Sequence, residues 1–221
     1  MSAPTPAPAS DPYAQARQRM MDLLRAHVRD ARVLDAVAAV PRHAFVPEDL
    51  RDRAYADAPL PIGGGQTISQ PLIVALMIEA LRVRPDDHVL EVGSGSGYAA
   101  AVLSHLARDV VAVELRDDLR EGSKKALAAC GFDNVRVLPA GEELGRRQDG
   151  PYDAILVSAG SPHVPRPLVE QLTEQGRMIV PVGAPRKQEL VRVTKTSHGL
   201  ELARLGACAF VPLIGAGAWT A

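Results

Sequence analysis

Cysteine is nearly absent from this chain of 221 residues. Cys130 and Cys208 are too few for a disulfide framework and have no C-x-x-C spacing. Neither sign of charge dominates, since 25 Lys and Arg face 26 Asp and Glu for a net charge of −1. A general polyanion binder shows a basic excess, so nucleic acid is not expected as a partner. No apolar run approaches the roughly 18 residues that a membrane helix needs, and no membrane contact is expected. The opening MSAPTPAPAS has neither a basic n-region nor an apolar h-region, so a soluble protein in the reducing cytoplasm is expected. The histidines show no H-x-x-x-H or H-x-H spacing, and no metal site is expected. What is present, 47% hydrophobic and 23% charged residues, suits an ordinary folded protein of one domain with modest additions.

Residues 1–12 are Pro, Ala and Ser with little to bury and read as a disordered tail. From Tyr13 to Val40, apolar residues at helical spacing, interrupted at Arg29 and Asp30, predict two short helices. Prolines and the run Gly63–Gly65 preclude long regular structure over 41–66. A helix should then run from Pro71 to about Leu81, with Ser69 placed to cap it. Beyond it, strands at 88–92, 110–114, 135–138, 154–158 and 178–182 alternate with helices at 98–107, 117–130 and 167–175. That alternation predicts βαβ units and a parallel sheet buried on both faces. Residues 189–194 and 200–205 flank a turn and predict an antiparallel hairpin. The expected fold is α/β, with 13–82 as a helical and loop extension and 83–221 as the main unit.

The strongest chemical signal is VLEVGSGSGYAAAV, residues 89–102. A strand entering a glycine turn that opens a helix brings backbone N–H groups and a helix N-terminus to a ligand. Glu114 closes the next strand about 20 residues on, where an acid commonly grips ribose hydroxyls. Gly95-x-Gly97-x-x-Ala100 fits the dinucleotide fingerprint, but alone that is a weak pattern. Glu91-x-Gly93-x-Gly95-x-Gly97 fits the pattern of S-adenosylmethionine-dependent methyltransferases. A carboxylate at the strand end repels pyrophosphate and suits a ligand bearing an ammonium and a sulfonium. The methyltransferase reading is therefore preferred. A serine hydrolase needs serine at the centre of the turn, where this chain has Gly95.

VPRHAFVP (40–47) and PLPIGGGQTISQPLIVALM (59–77) closely resemble the protein-L-isoaspartate O-methyltransferase family. The likeness continues in order through YDAILVSAGSPHVPRPLVEQL, GRMIVPVG and FVPLIG, over roughly residues 17–215. It implies a class I methyltransferase-like sandwich with a modified C-terminal strand arrangement. The implied activity methylates the α-carboxyl of L-isoaspartyl residues in damaged proteins and peptides, using S-adenosyl-L-methionine and leaving S-adenosyl-L-homocysteine. Ser69 matches the family's active-site serine, and Asp57 an acid near the reacting centre. The cofactor site is implied to include Gln66, Thr67, Ile68, Gln70, Glu91, Gly93, Ser94, Gly95, Gly97, Glu114, Leu115, Gly141 and Glu142. Ile62, Phe210, Val211, Pro212 and Leu213 match substrate-binding positions, the last four expected to offer backbone hydrogen bonds to an extended peptide.

Two positions depart from the family pattern. Where the family shows Gly-Asp-Gly after the third strand, this chain has Gly141 at the Asp position and Glu142 beside it. Gly64 stands where a bulkier residue is common, which is expected to loosen the substrate loop. The alternatives are a methyltransferase for another peptide carboxylate and a non-catalytic cofactor-binding relative. The chain is expected to be a monomer.

Overall fold

The computed structural model describes residues 11–220, so the expected tail lies, apart from Asp11 and Pro12, outside the described residues. Two helices open the fold, α1 Ala14–Arg25 and α2 Ala31–Ala39. The break between them is capped twice over. Asp30 accepts from the N–H of Arg32, while Glu79 accepts from the N–H groups of Arg29 (2.6 Å) and Asp30 (2.7 Å). Two 3-10 turns, Arg42–Phe45 and Glu48–Arg53, lead into a small hairpin, β1 Leu60–Gly63 and β2 Gln66–Ile68. Helix α3, Pro71–Leu81, follows.

The main sheet holds β3 His88–Val92, β4 Asp109–Glu114, β5 Val135–Pro139, β6 Tyr152–Val157, β7 Leu172–Ala184, β8 Lys187–Thr196 and β9 Gly199–Cys208. Their spatial order is β5-β4-β3-β6-β7-β8-β9. The first five run parallel, and β8 and β9 complete the edge antiparallel. Helices α4 Tyr98–Ser104, α5 Asp117–Ala129 and α6 Arg166–Val169 occupy the crossovers. Side chains alternate between two apolar layers. Val89, Val110, Ala154 and Leu156 join the N-terminal helices on one face, and Leu90, Val111, Ile155 and Val157 pack on the other. The extension thus shares its core with the sheet. Among the described residues no helix is long and apolar enough to cross a membrane.

Two local expectations are corrected and a third is narrowed. The helix expected over 167–175 is one turn, because β7 already begins at Leu172 and pairs with Tyr152. Gln171 locks that early start: its side chain donates to Leu144 O and Pro167 O and accepts from Arg146 N. Ser69 does not cap α3. Pro71 has no N–H, so the first free donor is Leu72 N, which goes to Asp57 Oδ1 at 3.0 Å. Gly64 is not simply an open position in its loop, because the Arg116 guanidinium packs where its Cβ would stand.

Candidate active site

Past Val92 the chain turns through three glycines of positive φ into α4. Two of them are dictated by close approach. A Cβ on Gly95 would lie 3.3 Å from Ile62 Cδ1, and one on Gly97 would lie 3.0 Å from Ser123 Cβ. The N–H groups of Gly93 and Ser94 both donate to Val113 O, fixing the loop to β4. Glu114 braces it from the next strand end: Oε2 accepts from Gly95 N at 2.8 Å and Oε1 from Arg116 N at 2.9 Å. A carboxylate has further lone pairs, so these bonds leave acceptors for ribose hydroxyls.

Glu91 faces the opposite layer from Leu90 and Val92 and is 1% exposed. Its Oε1 accepts from Ser158 Oγ at 3.0 Å, while Oε2 has no partner within the protein. Burial, aided by the nearby Glu114 charge, pushes its carboxyl up to about 8. Ser94 Oγ, also buried, is unpartnered as well. Two orphaned polar atoms beside a glycine loop mark a place where a polar ligand completes the bonding.

Ser69 sits between β2 and α3, and its backbone is held by a residue that sequence reasoning missed. Arg42, fully buried, donates from Nη2 to Ser69 O and from Nε to Ala54 O, each at 2.7 Å. Its guanidinium lies 4.6 Å from the centre of the Tyr98 ring. Burial drives it below the ordinary arginine range. Arg42 therefore ties the Ser69 loop to the loop carrying Asp57. Asp57 lines none of the three cavities described below. It accepts from Leu72 N and from Gln70 Nε2 (2.7 Å), acting as the cap of α3.

Three cavities meet here, and Thr67 and Ser158 line all of them. One of about 320 Å³ is lined by Gln66, Gly93, Gly95, Glu114, Leu115, Gly141, Glu142 and Leu213. A chamber of about 40 Å³ is lined by Ile68, Ser69, Glu91, Ser94 and Phe210. An open cleft of about 690 Å³ is lined by Ser69, Gln70 and Phe210. Val211 and Pro212 line the first and third. Most of the expected residues thus come together. Leu213 falls on the glycine-loop side rather than in the cleft. Gly97 and Ile62 line none of the three and act as packing for the loop.

The backbone of the C-terminal segment is largely engaged already. Phe210 N donates to Gln188 Oε1 at 2.7 Å, Val211 O accepts from Gly160 N, and Leu213 N donates to Gly160 O. These bonds narrow the expected ladder: the segment forms a wall of the cleft in which Val211 N keeps no acceptor among the described residues. Ser158 was also missed, although its place was open to inference. It follows the strand beside β3, at the carboxyl edge where connections leave in opposite directions and ligands collect.

The site fits S-adenosylmethionine. Glu91 and Ser94 offer unsatisfied atoms to an amino acid moiety, Glu114 suits a ribose, and the 320 Å³ cavity continues to Gly141 and Glu142 for the base. A Cβ on Gly141 would meet nothing closer than 3.8 Å, and Glu142 is exposed.

Comparisons with known proteins agree. Residues 15–218 match the family model described as protein-L-isoaspartate(D-aspartate) O-methyltransferase. A protein-L-isoaspartate O-methyltransferase of Roseiflexus sp. (strain RS-1) is 53% identical over 95% of this chain and 96% of its own length. One from Methanopyrus kandleri is 49% identical over 92% and 93%. A solved protein-L-isoaspartate O-methyltransferase superposes with a TM-score of 0.80 at 29% identity, covering 90% of this chain and 66% of that one. A Plasmodium falciparum protein described as a beta-aspartate methyltransferase, solved with S-adenosyl-L-homocysteine, gives 0.76 at 26% identity over 88% and 96%.

Proposed function

The chain belongs to the protein-L-isoaspartate(D-aspartate) O-methyltransferase family, and from that premise we infer that it repairs isoaspartyl damage. The reaction transfers a methyl group from S-adenosyl-L-methionine to the α-carboxyl of L-isoaspartyl residues in proteins and peptides. The observation that carries the site assignment is the convergence of three cavities on Thr67 and Ser158, beside Ser69. In this reading 83–221 holds the cofactor and the C-terminal wall, while 13–82 supplies the substrate loop. Two cysteines with no disulfide framework suit a reducing, cytoplasmic setting. Neither alternative gains support, since the named relatives act as protein-L-isoaspartate O-methyltransferases.

When bound, the cofactor supplies a methyl group on a positively charged sulfur. The isoaspartyl carboxylate, with a pKa near 4, is ionised at neutral pH and needs no general base. The lining residues match that need, with no histidine or lysine around the three cavities. Opposite charges cancel in the displacement, so the protein's task is to fix the approach line and exclude water. Arg42 sets the Ser69 backbone, and the Ser69 hydroxyl gives the carboxylate one orienting hydrogen bond. A single neutral donor steadies the nucleophile without holding its charge back. Once the α-carboxyl is esterified, the following backbone nitrogen attacks it and expels methanol, giving a succinimide that water opens in part to normal aspartate.

Methyl-labelled cofactor with an isoaspartyl peptide and its aspartyl twin tests the assignment. Label should enter only the isoaspartyl peptide as a base-labile ester, and Ser69→Ala should lower kcat by about 10- to 100-fold, as loss of one orienting bond does. Equal labelling of both peptides would overturn the isoaspartyl specificity.

A further inference from the structure

We propose that the bound polypeptide continues from the Ser69 cleft into a second groove, and that this groove selects chains with an acidic residue about five or six positions from the isoaspartate. The proposal rests on the methyltransferase reading above and adds a substrate preference to it. Ile73 of α3 and Ala207 of β9 line both the Ser69 cleft and an adjoining groove of about 390 Å³. The one runs into the other. Leu76 and Ala80 of α3 and Leu190 and Leu205 of the edge strands give the groove an apolar floor.

Its charged end is formed by Arg82, which follows α3 in a left-handed conformation, and Arg192 of β8. Among the described residues neither arginine forms a salt bridge. Burial and then the Arg82 charge hold Arg192 below its ordinary pKa, so the two cations lie close enough to oppose each other. The one acid lining the groove, Glu79, has its Oε1 taken by the N–H groups of Arg29 and Asp30. In the Ser69 cleft the only charged lining residue is a further cation, Arg186. Two neighbouring arginines without a carboxylate partner, Arg192 donating only to Ala80 O at 3.4 Å, gain most from a carboxylate.

Helix geometry sets the spacing. At 1.5 Å per residue, Ile73 to Arg82 spans about 14 Å, roughly four residues of extended peptide. The further step from Ser69 to Ile73 adds one or two more. An acid five or six positions from the isoaspartate therefore reaches the arginines.

The test uses the full chain with bound S-adenosylhomocysteine and three peptides carrying a neutral dye. These are an isoaspartyl pentapeptide and two longer isoaspartyl peptides, with either glutamate or glutamine five positions away, made in both chain directions. Fluorescence anisotropy should show the glutamate peptide binding about 5- to 20-fold tighter than its glutamine twin in one direction. The Arg82→Gly, Arg192→Gln double variant should erase that difference. Glycine suits the left-handed backbone at 82, so the variant should fold, and its melting curve checks that. Equal binding of the glutamate and glutamine peptides in both directions, or a difference that survives the double variant, would overturn the groove. Absence of methyl transfer to the pentapeptide would count against the repair activity instead, because the anisotropy comparison needs no turnover.

Discussion

Burial makes the charged form of the Glu91 carboxyl costly and pushes it up to about 8, so a proton is expected on it at neutral pH. The unfolded chain, with a carboxyl near 4.5, has lost that proton. From about pH 4.5 to 8 the folded state therefore binds the extra proton, and stability from this group is full below that window and lost as pH rises through it. Glu91→Gln removes the titration. Relative to the parent, the variant should gain stability between pH 5 and pH 9, on the order of 3 kcal/mol. Urea midpoints at the two pH values measure this, and parallel pH profiles would contradict it. The same substitution should weaken cofactor binding, since an arriving ammonium can draw the proton off the buried Glu91 carboxyl and pair with the charge left behind, which an amide cannot supply. Gly141 offers the converse experiment. Its position has room for a side chain, so Gly141→Asp should restore an acceptor near the base and tighten S-adenosylhomocysteine binding roughly tenfold, about 1.4 kcal/mol. Calorimetric titration reads it, and unchanged affinity would show that Glu142 already fills the role.

Helix α3 places Ser69, and its start depends on Asp57. Asp57→Asn keeps an oxygen for Leu72 N and should retain most activity. Asp57→Ala removes the cap and should cost about 1 kcal/mol of stability and lower kcat with it. A large loss of activity in Asp57→Asn at unchanged melting temperature would show instead that the charge itself acts in the reaction. The elements differ in how plainly the sequence announces them. Strands β3, β4 and β6 are apolar runs ending in turns, and α5 has a clear amphipathic period, so their place and type follow from pattern. The start of β7 does not, because Gln171 fixes it through contacts with Leu144 and Arg146, distant in the chain. Asp57 as the α3 cap is hidden for the same reason: it acts across 15 positions. The Arg116 packing on Gly64 joins β4 to a hairpin far upstream, and no local rule shows it.

In the whole molecule, the glycine loop and Glu91 were legible from spacing, while Ser69 and the C-terminal wall came through family likeness. Arg42 and Ser158 became visible only once the fold had joined their segments. The extension and the sheet share one core, into which Leu60 and Ile68 of the β1–β2 hairpin are packed. The open cleft beside it leaves room for a polypeptide rather than a small molecule. Arg177 of β7 reinforces that union, donating to Leu81 O and Arg82 O at the end of α3 and pairing with buried Asp87. The central claim is repair, and the most direct measurement follows a purified isoaspartyl peptide by chromatography through repeated rounds with the protein and S-adenosylmethionine. The account predicts that part of the peptide becomes the aspartyl form, with methanol released, and that conversion stops when the cofactor is left out. An isoaspartyl peak that stays constant while cofactor is present would contradict it.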